Sequence, residues 1–114
     1  MVVEDCLFCG IVAGDIDADV VHVTERTVAF RDLDPQAPTH VLVVPRDHYA
    51  NAAELAAGDP VASAELVSTA AAIAEAEGHD DYRLVLNTGP GAGQSVFHTH
   101  LHLLAGRPFT WPPG

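Results

Sequence analysis

"SVFHTHLHLL", residues 95–104, sets His98, His100 and His102 at every second position, with Thr99, Leu101 and Leu103 between and beyond them. Alternation with a period of two belongs to a β-strand, whose successive side chains point to opposite faces. "FHTHLHLLA" therefore reads as a strand with three imidazoles on one face and Thr99, Leu101 and Leu103 turned into the opposite layer. The three Cα atoms would span about 13 Å at ~3.3 Å per residue, so adjacent rings can share a centre but all three cannot without a bend. Three readings follow from these residues alone: chemistry at phosphorus, a metal centre, or structural filling. In the first, a ring whose Nδ1–H is tied to a carbonyl presents its Nε2 lone pair as a nucleophile.

Ahead of that strand lies "NTGPGAGQS", residues 87–95, in which Gly89, Gly91 and Gly93 alternate. A dinucleotide fingerprint needs a helix after its glycines, and a strand pattern follows here, so a Rossmann site is disfavoured. The loop is either a hairpin turn needing positive φ or a nest of backbone N–H groups on an anion. Pro90 has no N–H, so the donors of such a nest begin at Gly91.

Further back, "YRLVLN" reads as another strand, and residues 51–77 are rich in Ala, Leu and Glu, broken by "GDP" at 58–60. This predicts a short helix and then a longer one, capped by Asp59 with Pro60 in its first turn. Leu66, Ala70, Ile73 and Ala74 make its apolar stripe, and Gly78 ends it. "CLFCGIVAGD" predicts a brief helix ending near Ala13, "DVVHVTE" and "TVAFRDLD" a hairpin, and "HVLVVPR" a strand buried on both faces. Strands, then helices, then strands, with no repeat, give one α+β domain over residues 1–114 with a mainly antiparallel sheet.

Five Lys plus Arg, all of them arginine, stand against sixteen Asp plus Glu, for a net charge of −11. Such a chain repels polyanions, which argues against nucleic acid and acidic lipid as partners. No apolar run is long enough to span a membrane, and the start "MVVEDCLFCG" is acidic where a signal peptide is basic. A soluble, cytoplasmic protein is expected. Cys6 and Cys9 form C-x-x-C, which in a reducing compartment reads as a metal pair, a redox pair or inert buried thiols. A closed zinc site needs four ligands, so this pair supplies half of one.

"GQSVFHTHLHLLAGRPFTWPPG" resembles the histidine triad (HIT) family, and "WPPG" resembles its branch of histidine triad nucleotide-binding proteins. The similarity runs through "CLFCGIVAGDI", "AFRDLDPQAPTHVLVVPRDH" and "NTGPGAGQS", nearly the whole chain. It implies a HIT-like fold, with an antiparallel five-stranded sheet, a long helix and a short N-terminal helix, and sheets joined across a homodimer. The implied activity is hydrolysis of purine nucleoside 5′-phosphoramidates at the P–N bond, through a nucleotidyl intermediate on His100. Hydrolysis of dinucleoside polyphosphates, or a non-catalytic nucleotide-binding or zinc-stabilised module, are the alternatives.

By matching motif, Asp32 would accept the ribose hydroxyls, with Phe30 and Leu33 near the base. Asn87, Gly93, Gln94, Ser95 and His102 would surround the phosphate and leaving group, Ser95 or His102 supporting proton delivery. His40 completes the family's four active-site histidines, and Trp111 resembles a residue that reaches the partner's site. Members with C-x-x-C in this place bind structural zinc through the residues that are here Cys6, Cys9, His48 and His98. The chain departs from the family at "IDA", residues 16–18, and at Thr110. His22 and His79 match no motif and read as ordinary surface or strand residues.

Overall fold

In the computed structural model, which describes Val3 and residues 5–114, the apolar alternations become a five-stranded antiparallel sheet of order β1-β2-β3-β5-β4. Its strands are β1 (Val20–Val23), β2 (Thr27–Arg31), β3 (Thr39–Pro45), β4 (Tyr82–Val85) and β5 (Leu101–Ala105). Helix α1 (Leu7–Ala13) precedes them, while α2 (Ala52–Gly58) and α3 (Pro60–Ala76) lie between β3 and β4.

Central β3 separates two cores. Val41 and Val43 face α3 in one cluster with Leu55, Leu66, Ala70, Ile73, Leu101 and Leu103. Leu42 and Val44 join Phe8, Val28 and Phe30 in the other, so every residue of β3 is buried, as its continuous apolar run predicts. Each fully buried Leu or Val contributes about 1.5–3 kcal/mol of transfer free energy, and these layers therefore fix which face of β5 looks away from α3. The predicted stripe on α3 is the buried one. Asp59 ends α2 and caps α3, its carboxylate accepting the Ala62 N–H at 3.1 Å.

The last strand is shorter than the alternation predicts. Its ladder begins at Leu101, because the Thr99 N–H and hydroxyl both donate to Tyr49 O, at 2.7 and 2.9 Å, instead of pairing with a strand. Residues 98–100 still alternate: the His98 and His100 rings pack edge-on to Phe8, on the face opposite Leu101 and Leu103. The glycine loop is a 3-10 turn over Pro90–Ala92, not an open nest. The Ala92 and Gln94 N–H groups donate to Gly89 O and that of Gly93 to Pro90 O, so three predicted anion donors are used within the loop. At Gly93 φ is +95°, a conformation L side chains avoid.

Candidate active site and metal centre

Helix α1 brings Cys6, its cap, and Cys9 against His48, from the turn after β3, and His98. The four donor atoms lie within 4.8 Å of one another. His98 Nδ1 is 3.4 Å from Cys6 Sγ, 3.5 Å from Cys9 Sγ and 3.2 Å from His48 Nδ1, and Cys9 Sγ is 3.4 Å from His48 Nδ1. A tetrahedral zinc with bonds of ~2.3 Å to sulfur and ~2.05 Å to nitrogen has S–N edges of about 3.6 Å and an N–N edge of about 3.3 Å. The donor set matches those edges. It also matches in protonation: His98 Nε2–H donates to Pro45 O at 2.9 Å, which leaves Nδ1 as a lone pair aimed into the cluster. Burial holds the His98 pKa down at about 4 and pushes the Cys9 thiol up, so His98 offers a neutral ring and Cys9 gains from a cation that takes its proton's place.

The same His98 supports the next residue of the row. His100 Nδ1–H donates to the His98 carbonyl at 2.8 Å, so Nε2 carries the lone pair, the arrangement a nucleophilic imidazole requires. Phe8 packs edge-on against this ring at 5.0 Å, and His102 lies beside it with ring centroids 5.1 Å apart.

His102 belongs to a second constellation. Its Nδ1 is 2.9 Å from His40 Nε2, which is in turn 3.5 Å from Asp32 Oδ2. Two histidines and a carboxylate within 4.8 Å are a possible metal set. One contact argues against that use: the Gln36 N–H donates to His40 Nδ1 at 3.0 Å. A metal-bound histidine donates through its second nitrogen, whereas His40 accepts there. Burial lowers the pKa of His102 to about 4, with the neighbouring His100 adding to the effect, and burial lowers that of His40 against the pull of Asp32.

Next to the histidines is an apolar cavity of ≈ 230 Å³, lined by Phe8, Ile11, Ile16, Phe30, Leu33 and Asp32 among others. Gly10 lets Ile16 close on α1 at this lining, since a Cβ there would collide with Ile16 Cδ1. Phe30 is buried in its wall, Leu33 is fully exposed at its mouth, and Asp32 sets a half-buried carboxylate on its rim. The sequence alone does not mark Phe8, Ile11 and Ile16 as site residues; the one local signal is the apolar run 7–12, which reads equally as core.

The remaining candidates are placed less uniformly. Asn87 neighbours Gly93, where a Cβ would meet its Nδ2 at 3.9 Å. Gln94 is buried and braces the glycine loop, Oε1 accepting the Gly89 N–H and Nε2 donating to Ala50 O and Val96 O. Ser95 is exposed in a groove with Cys6, His48 and Phe97. Trp111, 83% exposed, lines neither that groove nor the apolar cavity. His79, read as ordinary, joins a network instead: Thr39 Oγ1 donates to Glu77 and is 2.8 Å from His79 Nε2, and Glu77 also holds Arg31.

The HIT domain family matches residues 13–109. The chain belongs to the HIT family. A purine nucleoside phosphoramidase of Escherichia coli is 41% identical over 107 residues, covering 92% of this chain and 90% of that one. A 14 kDa zinc-binding protein of Zea mays is 41% identical over 111 residues, covering 95% and 87%. The crystal structure of a HIT family hydrolase from Legionella pneumophila superposes with a TM-score of 0.92 at 47% identity, over 96% of this chain and all of that one. The α+β HIT fold therefore describes this chain.

Proposed function

We propose that this HIT protein hydrolyses purine nucleoside 5′-phosphoramidates through a covalent nucleotidyl–His100 intermediate. The observation that carries this reading is the His100 Nδ1–H bond to the His98 carbonyl, which leaves Nε2 as a lone pair beside the His102 ring. Nε2 attacks the α-phosphorus, the P–N bond breaks, and the amine departs with a proton taken from solvent, which the later attack of water gives back. Water then attacks the same phosphorus, which releases the nucleoside monophosphate and restores the ring. The apolar cavity suits an aromatic base between Phe30 and Ile16, and Asp32 on its rim suits the ribose hydroxyls. Asn87, Gly93 and Ser95 are assigned to the phosphate end. The relationship to the E. coli phosphoramidase favours this substrate class over dinucleoside polyphosphates.

Zinc is the proposed ion for Cys6, Cys9, His48 and His98, where it supplies cross-linking and no chemistry. The fit of the four donors, together with the maize relative, supports it. A homodimer is proposed through β4, an edge strand of the sheet with Tyr82 exposed, near the tail that carries exposed Trp111. Sedimentation of the purified chain at micromolar concentration is expected to give twice the monomer mass.

The deciding experiment compares steady-state turnover of adenosine 5′-phosphoramidate and a diadenosine polyphosphate by wild type and His100→Ala. The expected result is faster P–N cleavage, lowered at least ~10³-fold in the variant with nucleotide binding retained. Preference for the polyphosphate would transfer the chain to that substrate class. Equal rates in the variant would remove His100 from the mechanism, and tight AMP binding with no turnover would make the chain a binding module.

A further inference from the structure

We propose that the backbone amide of Gln36 locks His40 and His102 into one tautomer, so that His102 serves the site as a neutral N–H donor and not as a carrier of the leaving-group proton. The role in turnover rests on the hydrolase reading above; the tautomer does not.

An amide N–H can only donate, so His40 Nδ1, 3.0 Å from Gln36 N, must hold a lone pair. Neutral His40 then carries its hydrogen on Nε2. Asp32 Oδ2 at 3.5 Å favours the same choice, since a carboxylate stabilises a hydrogen facing it. His102 Nδ1, at 2.9 Å, receives that hydrogen and must itself be a lone pair. The hydrogen of neutral His102 is left on Nε2, which has no hydrogen-bond partner among the described residues.

A second proton would undo this order. His102 protonated on Nδ1 would set two N–H groups against each other across 2.9 Å. Moving the His40 hydrogen to Nδ1 would instead oppose the Gln36 amide. The groups facing the pair are Asp32 and Asp34 beside His40, and His100 beside His102; the carboxylates favour a cation and His100 opposes one. The depressed pKa of both rings agrees with the steric order of hydrogens. A neutral imidazole is a poor proton donor in the full sense, because giving up its hydrogen leaves an imidazolate. It is a good hydrogen-bond donor to charge that builds on a phosphoryl oxygen, with no prior protonation required. His40 is then a positioning residue, and the loop from Asp32 to Gln36 shapes the chemistry without touching the reacting atoms.

The test has two arms on the full-length, metal-loaded protein. Two-bond ¹H–¹⁵N spectra of the histidine rings are expected to show His40 and His102 protonated on Nε2, with His102 still neutral at pH about 5, below the ordinary histidine range. His40→Leu should release His102 to mixed tautomers, and His40→Gln, whose side-chain amide can donate to Nδ1, should restore the Nε2–H form. An Nδ1–H form of His102 in the wild type, or titration near the ordinary value, overturns the proposal whatever the enzyme does. The second arm compares His102→Ala on an amine phosphoramidate and on an adenylate p-nitrophenyl ester, whose leaving group needs no proton. Equal losses in kcat, about 10²-fold on both, are expected of a charge stabiliser. Loss confined to the amine substrate would make His102 the proton carrier and end the proposal. Absence of turnover of both substrates by wild type would instead refute the hydrolase reading, with the ring spectra still deciding the tautomer.

Discussion

His98 and His102 stand four residues apart on one face of the same segment, burial lowers the pKa of both to about 4, and both carry their hydrogen on Nε2, yet they turn opposite nitrogens to their sites. His98 gives Nε2–H to a carbonyl, which can only accept, and so turns an Nδ1 lone pair toward two sulfurs and a second imidazole. His102 meets an N–H at Nδ1 and so turns an Nε2–H away from it. The first is built to bind a cation and the second to meet an anion. What separates them is the single protein group at the ring's other nitrogen, not residue type, burial or strand position.

The largest effect is expected at the wall beneath His98 and His100. Phe8 packs edge-on to His98, His100 and Phe30, and Phe8→Ala is expected to cost about 3–5 kcal/mol in urea unfolding while weakening metal retention and turnover together. A loss under 1 kcal/mol would show that the wall is replaceable. Cys9→Ala acts on the His98 end alone. Metal content should fall from near one ion per chain to well under half, with a Tm lower by about 10 °C, readable by elemental analysis and calorimetry. Unchanged content would separate the cluster from metal binding.

His102→Gln acts on the other end and is read through pH. A histidine pKa lowered from 6.5 to about 4 means that the unfolded chain binds the proton first as pH falls. The stability it contributes is complete above 6.5 and is lost as pH falls from there toward about 4. Between pH 7 and 5 the wild type should lose about 1 kcal/mol more than His102→Gln, the half-buried ring keeping the effect below its full linkage value. Equal losses would place the charge elsewhere. Smallest is Arg31→Gln, which removes a two-bond pair to Glu77 at 3.0 and 2.7 Å but on a side chain 37% exposed; about 0.5 kcal/mol is expected, with metal and turnover unmoved.

Much of this was legible in the residues because it depends on local period and chemistry. The alternation around Leu101, the unbroken apolar run of β3 and the Asp59–Pro60 start of α3 each fix an element by themselves. The C-x-x-C pair could be read as half a metal site, and the histidine row as chemistry at phosphorus, before any neighbour was known. What escaped depends on backbone and on distance in sequence. Thr99 leaves the ladder for a carbonyl fifty residues away, at Tyr49. The Gln36 amide that sets the tautomer has no signature in a side chain, and the glycine loop spends its N–H groups on itself. Ile11 and Ile16 look like ordinary core residues until Gly10 allows Ile16 to close on the helix.

The sheet order has a consequence for how the protein is made. β5 is the last strand in the chain but lies between β3 and β4. Until it is synthesised, β3 offers a fully buried-type sequence with one side of its ladder unpaired, the kind of edge that recruits other chains. The strand that closes this edge continues from the residues bearing His98, His100 and His102, so protection from aggregation and assembly of the reactive centre arrive in the same late folding event. A ribosome-stalled chain ending before Val96 would lack both.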